Sequence, residues 1–521
     1  FYVDYSFMGK SPDVFKKYMF NKIYSASIHG VNMFKVNVEV DISDGLPNFD
    51  MVGLLNSEVK ESRERVRTAI KNQGILLPPK RITVNLSPAN IRKGGNYFDL
   101  PIAVGILKCL GIIYLENLED TIIVGELSLN GSVNKTNGIL SVVHDSKKQG
   151  FKRCIVPFEN AMEGGVIDGV EVYGVKTLGE TIKLINENFT KSPVHTNILE
   201  LSKTDEENDG VDFADVNGQE SVKRAALVAA CGMHHILLIG SPGSGKSMIA
   251  SRISTILPQP DISECLEITK IHSIAGKLQD KSFIFKRPFR APHHTITKQA
   301  LIGGGASPKP GEMSLAHRGV LFLDELAEFK RDTIDVLRQP LEREKISISR
   351  ASGMYQFPAK IMMVAATNPC KCGYYPDRSR CMCSQTQVNN YLGRISGPIL
   401  DRIDICINTP ILKLEDLSGK NTNLDSSYYR EMVEKGREIQ KYRYRRNDLY
   451  NSNLSTREIE KYCKMTPDAK KILDKGFEMF KMSGRAYYKI TKVARTIADL
   501  AGEDIIQEVH MAEAVGYRLW R

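Results

Sequence analysis

Gly240-Ser241-Pro242-Gly243-Ser244-Gly245-Lys246-Ser247 is the stretch that decides the fold. An apolar run, His235–Ile239, leads into it, and a helical pattern, Lys246–Leu257, leads out. The spacing is G-x-x-x-x-G-K-S, and each fixed position has a physical reason. Glycines let the backbone wrap phosphates with its N–H groups turned inward. Lys246 reaches the outer phosphates, and the Ser247 hydroxyl is a ligand for Mg²⁺. A helix starting at Lys246 adds the positive end of its dipole. Strand, loop and helix in this order predict a site for ATP and Mg²⁺, with Gly240, Ser241, Pro242, Gly243, Ser244, Gly245, Lys246 and Ser247 as its cradle.

Further along the chain, Val320-Leu321-Phe322-Leu323-Asp324-Glu325 is an apolar strand ending in two carboxylates. Asp324 is expected in the Mg²⁺ shell, and Glu325 is expected to polarise the attacking water. The next apolar strand, Lys360–Ala365, runs on through Ala366 and Thr367 to Asn368. That amide either helps place the water against the γ-phosphate or caps the following turn. Short, uniformly apolar runs suit a parallel sheet buried on both faces. Residues 212–412 are therefore expected to form a phosphate-loop parallel-sheet core.

Around this core the chain divides by composition. Residues 19–190 read as an α/β unit: Val36–Val40 alternates like a strand, Ser57–Asn72 is a charged amphipathic helix, and Phe98–Leu110 is an apolar one. Residues 191–211, with the acidic run Asp205–Gly210, are expected to be a linker with little to bury. Residues 413–521 are expected to be largely helical. In that region Ser455-x-x-Glu458 is a capping box, and Thr466-Pro467 places a cap before a proline at the first helical position. Residues 1–18 are mixed in character and are expected to be a peripheral extension.

With 42% hydrophobic and 25% charged residues, the chain has ordinary globular composition. No run approaches the ~18 apolar residues of a membrane helix, and no apolar signal segment opens the sequence. A net charge of +10 is either a solvated lysine-rich surface or an attraction to a polyanion such as nucleic acid. Six of the ten cysteines are scattered in mostly apolar contexts, as reduced thiols of a cytoplasmic protein are. The other four form two C-x-C pairs, Cys370/Cys372 and Cys381/Cys383, around a turn-like Gly373–Asp377. Four thiolates on a short loop can wrap a structural Zn²⁺ and leave no open catalytic position; the bland alternative is a set of buried or redox-labile thiols.

These pieces together resemble the AAA+ superfamily. More narrowly they resemble its magnesium-chelatase-like branch and, there, the ComM/YifB family. The resemblance runs from about Met19 to Arg521. It is carried by Val40-Asp41-Ile42-Ser43-Asp44-Gly45-Leu46-Pro47, by Lys60–Arg67, by Arg290-Ala291-Pro292-His293-His294-Thr295 and by Ser396–Asp404. It implies three parts: an N-terminal Lon-protease-like α/β domain, an AAA+ core and a C-terminal helical lid. It also implies a ring, expected to be a hexamer, that hydrolyses ATP and acts on single-stranded or branched DNA. In the best-described member of the family this is branch migration of DNA joints during natural transformation. The rival reading is a chelatase-type motor that works on a protein or tetrapyrrole partner.

The resemblance assigns further residues. Arg402 would be the finger that reaches a neighbour's γ-phosphate, with Arg394 as a competitor. Arg485 would be the second sensor arginine, with Arg495 as the alternative. A hairpin within Lys345–Met362 would face the ring channel, with Arg350 and Tyr355 against DNA or, on the bland reading, an ordinary surface. The insert Arg290–Gly305 has no assigned chemistry. Where the Lon fold has its serine, this chain reads Lys93-Gly94-Gly95-Asn96-Tyr97-Phe98; where the lysine should stand, it reads Asn137-Gly138-Ile139-Leu140. No peptidase activity is therefore expected.

Overall fold

The computed structural model of the protein describes residues 20–204, 210–279, 281–350, 353–411 and 423–518. The expected extension 1–18 and the acidic residues 205–209 of the expected linker lie outside the described residues.

The N-terminal domain is built on a long antiparallel hairpin. β1 (Phe20–His29) and β2 (Asn32–Ser43) pair with Ile23 opposite Val38, and β2 buries Val36, Val38, Val40 and Ile42 at period two. β3 (Asn48–Val52) and β4 (Arg81–Ser87) extend one side. β5 (Thr121–Ile123) follows, then a small hairpin of β6 (Glu126–Leu127) and β7 (Val133–Asn134), then β8 (Arg153–Pro157) and β9 (Glu171–Val175). The seven-stranded sheet has the order β3-β4-β2-β1-β5-β8-β9. Helices Ser57–Asn72 and Asp99–Cys109 contribute to the core on one face. On the other, Ile139 and Leu140 share a core with Cys265 and Phe283 of the following domain, so the two domains are fused by packing.

The stretch expected to be a linker is docked in its first half. Val194 bridges Val172, the buried Thr196 hydroxyl donates to the Met162 carbonyl at 2.8 Å, and Ile198–Thr204 is helical. Small and β-branched residues here find a groove at the sheet edge that composition alone does not reveal.

The central sheet has the order β11-β14-β17-β10-β18, all parallel. Its strands are β10 (Ile236–Gly240), β11 (Phe289–Arg290), β14 (Val320–Leu323), β17 (Met362–Thr367) and β18 (Ile405–Thr409). A short pair, β12 (Gly303–Gly304) and β13 (Lys309–Pro310), lies in the insert, and β15 (Lys345–Arg350) pairs with β16 (Gly353–Pro358) as the expected hairpin. Every residue of β10, β14 and β17 is buried. Ile236, Leu238, Val320, Phe322, Val364 and Ala366 pack on one face, while Leu237, Ile239, Leu321, Leu323, Met363 and Ala365 pack on the other. This two-sided burial is why these strands read as continuous apolar runs.

The C-terminal region is helical: Ser426–Tyr444, Thr456–Tyr462, Pro467–Met479, Gly484–Leu500 and Glu508–Gly516. Ser455 and Glu458 form their capping box, and Thr466 accepts from the Ala469 N–H. Val433, Ala494 and Ile497 share a core with Ala226 and Ala230, so the lid is packed onto the sheet domain. No helix among the described residues is long and apolar enough to cross a membrane.

A buried ion pair ties lid to sheet. Lys489 Nζ donates to Asp404 Oδ1 at 2.5 Å, and Asp404 Oδ2 accepts from the His235 N–H at 2.9 Å. Burial alone would raise the Asp404 pKa, but Lys489 and His234 outweigh it and hold the carboxyl well below the usual range. A carboxylate with a depressed native pKa contributes stability above its unfolded pKa, and that contribution is lost as pH falls through the native value. Asp404→Asn leaves Lys489 charged and unpaired, which should cost about 3–5 kcal/mol. Chemical denaturation should show this gap unchanged from neutral pH to about pH 5 and narrowing below about pH 4. A variant as stable as the parent at pH 7 would show that the pair does not anchor the lid.

Candidate nucleotide site

The C-terminal edges of β10, β14 and β17 gather the residues of the expected ATP site, the edge at which ligands bind in open α/β sheets. Past β10 the chain turns through Gly243 and Gly245, with φ +78° and +79° in the left-handed region that favours glycine. Gln219 Nε2 donates to the Ser244 carbonyl at 2.7 Å and pins the loop. Lys246 Nζ donates to the carbonyls of Gly240 and Ser241, each at 2.8 Å, and to Asn368 Oδ1 at 3.2 Å. Burial lowers the Lys246 pKa, and the Asp324 and Glu325 carboxylates oppose that shift. The Ser247 hydroxyl donates to Asp324 Oδ2 at 2.6 Å. A hydroxyl and a carboxylate side by side are the hard oxygen donors that Mg²⁺ takes.

Glu325 has a left-handed backbone, φ 51°, and its N–H donates to Asp324 Oδ1 at 2.8 Å. Its Oε2 lies 3.2 Å from His294 Nδ1. His294 in turn stacks against His293, with ring centroids 4.0 Å apart. Sequence reasoning assigned this histidine pair no chemistry. The chain that brings it there leaves β11, which pairs with β14 so that Phe289 faces Val320 and Arg290 faces Leu321.

The arginines lie elsewhere. Arg402 precedes β18 and so sits at the opposite, N-terminal edge of the sheet. It donates to the Arg338 carbonyl at 2.9 Å and pairs with Glu342 at 2.7 Å. Arg485, exposed at the start of helix Gly484–Leu500, reaches the same Glu342 at 3.2 Å. Arg495 is fully buried, paired with Asp499 at 3.1 Å and bonded to the Asp504 carbonyl. Arg394 is half-exposed and pairs with Glu328 at 3.1 Å.

Both hairpin side chains expected at DNA or at an ordinary surface have partners inside the subunit. Tyr355 faces Ile348 across the ladder and lies on the packed side of the hairpin. Its ring stacks on His29 of the N-terminal domain at 3.9 Å, and Arg350 Nε donates to the Gly305 carbonyl at 3.3 Å. The side open to solvent carries Ser347, Ser349, Met354 and Gln356. In the N-terminal domain the Tyr97 hydroxyl donates to the Asn137 carbonyl at 2.8 Å, and Leu140 is buried. The four clustered cysteines come together: their sulfurs all lie within 4.8 Å of one another.

A phosphate loop, an Asp-Glu strand end and a third strand that leads to Asn368, on a parallel sheet with a helical lid behind, define an AAA+ fold. Family models agree: "Magnesium chelatase, subunit ChlI" matches residues 212–417, "Subunit ChlI of Mg-chelatase" matches 38–160, and its C-terminal model matches 423–518. The Competence protein ComM of Haemophilus influenzae is 41% identical over 95% of this chain and 97% of its own length. The YifB protein of Escherichia coli is 39% identical over 95% of this chain and 96% of its own. Lon protease 2 of Bacillus subtilis is 31% identical over 145 residues, 27% of this chain and 26% of its own length. The chain belongs to the ComM/YifB family of magnesium-chelatase-like AAA+ proteins.

If Lys246 binds phosphate as expected, Lys246→Ala removes charge-assisted hydrogen bonds worth about 1.5–3 kcal/mol. Titration with a fluorescent ATP analogue should show affinity falling roughly 10–100-fold. Unchanged affinity would remove Lys246 from the nucleotide site.

Proposed function

We propose that the protein is a cytoplasmic, ATP-hydrolysing motor that assembles head to tail into a hexameric ring and acts on DNA, driving helicase-type branch migration of recombination joints in natural transformation. The observation that carries this is the polarity of the central sheet. The phosphate loop follows the C-terminal end of β10, and Arg402 stands before the N-terminal end of the adjacent parallel β18. A five-residue strand separates those edges by about 16 Å. Arg402 therefore completes the site of another copy, and repeated head-to-tail contacts close into a ring. The end-to-end likeness to a competence protein supplies the setting.

In this reading the N–H groups of Gly240–Ser247 and Lys246 hold the phosphates, while Ser247 and Asp324 hold Mg²⁺, which neutralises phosphate charge when bound. Glu325 takes the proton of the attacking water, and Asn368 orients it. Arg402 and Arg485, together on one edge, stabilise charge on the neighbour's γ-phosphate. The four clustered cysteines hold a structural Zn²⁺, which suits a compartment where thiols stay reduced. DNA is enclosed by the channel that the β15–β16 hairpin faces, where Arg350 and Tyr355 engage it once released from Gly305 and His29.

The direct test is the ATPase rate with and without single-stranded and branched DNA. Stimulation by DNA that vanishes in Glu325→Gln is expected. Hydrolysis indifferent to every DNA would favour the chelatase-type motor with a protein or tetrapyrrole partner. The ring is tested by mixing. Arg402→Ala and Glu325→Gln should each be inactive alone, and their mixture should regain activity at interfaces that pair an intact Glu325 with an intact Arg402. A mixture that stays inactive would mean that the finger does not act between copies.

A further inference from the structure

We propose that Cys370, Cys372, Cys381 and Cys383 form a zinc clasp that holds the ATP site in register, so that nucleotide binding and hydrolysis depend on the metal. This rests on the zinc and nucleotide readings above and adds their coupling.

The sulfur geometry is that of one ion. Cys370 and Cys372 sulfurs are 3.3 Å apart, Cys372 lies 3.5 Å from both Cys381 and Cys383, and Cys370 lies 3.8 Å from Cys381. Zinc–sulfur bonds of about 2.3 Å set tetrahedral edges of about 3.8 Å, whereas a disulfide would bring two sulfurs to about 2.05 Å. The loop between β17 and helix Gln385–Leu392 has only a small core of its own: Cys370, Cys381 and Val388 are buried, Tyr374 and Tyr375 pack beside them, and Met382 is 98% exposed. A loop this long without regular structure needs such a constraint.

The loop touches the ATP site at two points. Two residues before Cys370, Asn368 accepts from Lys246. One residue after Cys372, Gly373 lies against Pro242 of the phosphate loop. Its φ is +86°, and a Cβ there would fall 2.4 Å from Pro242 Cδ. After Cys383, Ser384 caps the helix Gln385–Leu392, from which the chain runs on to Arg402. One tetrahedron thus sets the position of the third-strand amide, the wall of the phosphate loop and the start of the segment that carries the finger.

The full chain, purified without chelator, should carry one zinc per chain by elemental analysis. Stripping it with a zinc-selective chelator, with Mg²⁺ present, should weaken binding of a fluorescent ATP analogue and reduce hydrolysis about 100-fold, the scale of a 1 Å misplacement of site residues. Adding Zn²⁺ back should restore both. Gly373→Ala should keep its zinc and lose hydrolysis to a similar degree. Gly373→Asn tolerates the left-handed backbone but still carries the Cβ, and should behave the same way. Wild type without zinc would overturn the metal site itself. Zinc that can be removed with no change in nucleotide affinity would overturn the coupling alone. Zinc-loaded wild type that binds the analogue but never hydrolyses ATP would overturn the motor reading and leave the affinity measurement to decide the clasp.

Discussion

A parallel sheet has two chemically different edges, and this protein uses both. At the C-terminal edges of β10, β14 and β17, backbone N–H groups and strand-end side chains converge on one spot, and the apolar strands behind them are buried on both faces. Such strands can barely shift, because interiors pack at crystal density. Lys246, Asp324, Glu325 and Asn368 are consequently held by a rigid platform rather than by flexible loops. The same rigidity keeps Arg402 a full strand length away. Arg402 cannot reach the phosphate loop of its own subunit unless the sheet is broken.

The flanking domains are joined to that platform by shared apolar cores. Ile139 and Leu140 pack with Cys265 and Phe283, and Ala494 and Ile497 pack with Ala226 and Ala230. Joints of this kind transmit displacement. The lid helix that carries Arg485 also carries Lys489, whose buried pair with Asp404 lies two residues from Arg402. Both arginines therefore share one mechanical frame, and the carboxylate of Glu342 holds both.

Much of this was legible in the sequence, because local pattern dictated it. The phosphate loop has fixed spacing, the strands leading to Gly240, Glu325 and Asn368 are apolar runs, and helix Ser57–Asn72 has the bounds its periodicity predicts. What escaped was set by contacts distant in sequence. Nothing near Tyr355 announces that His29, in another domain, will stack on it. The contact also needs a glycine, since a Cβ on Gly30 would fall 2.6 Å from the Gln356 carbonyl. His294 meets Glu325 only once β11 has paired with β14. The burial of Arg495 has a local signal: Asp499 stands one helical turn on, and Val493, Ala494, Ile497 and Ala498 beside it are core residues.

The charged groups of the site share one condition: each is already occupied by a partner inside the subunit. Lys246 is bonded to the carbonyls of its own loop, Glu325 faces His294, and Arg402 and Arg485 converge on Glu342. Partly exposed ion pairs are worth only about 0–1 kcal/mol each. The pairs of Glu325, Arg402 and Arg485 therefore hold those side chains only weakly. Lys246 differs: it is buried, and its bonds to the Gly240 and Ser241 carbonyls satisfy an ammonium that would otherwise be desolvated and unpaired.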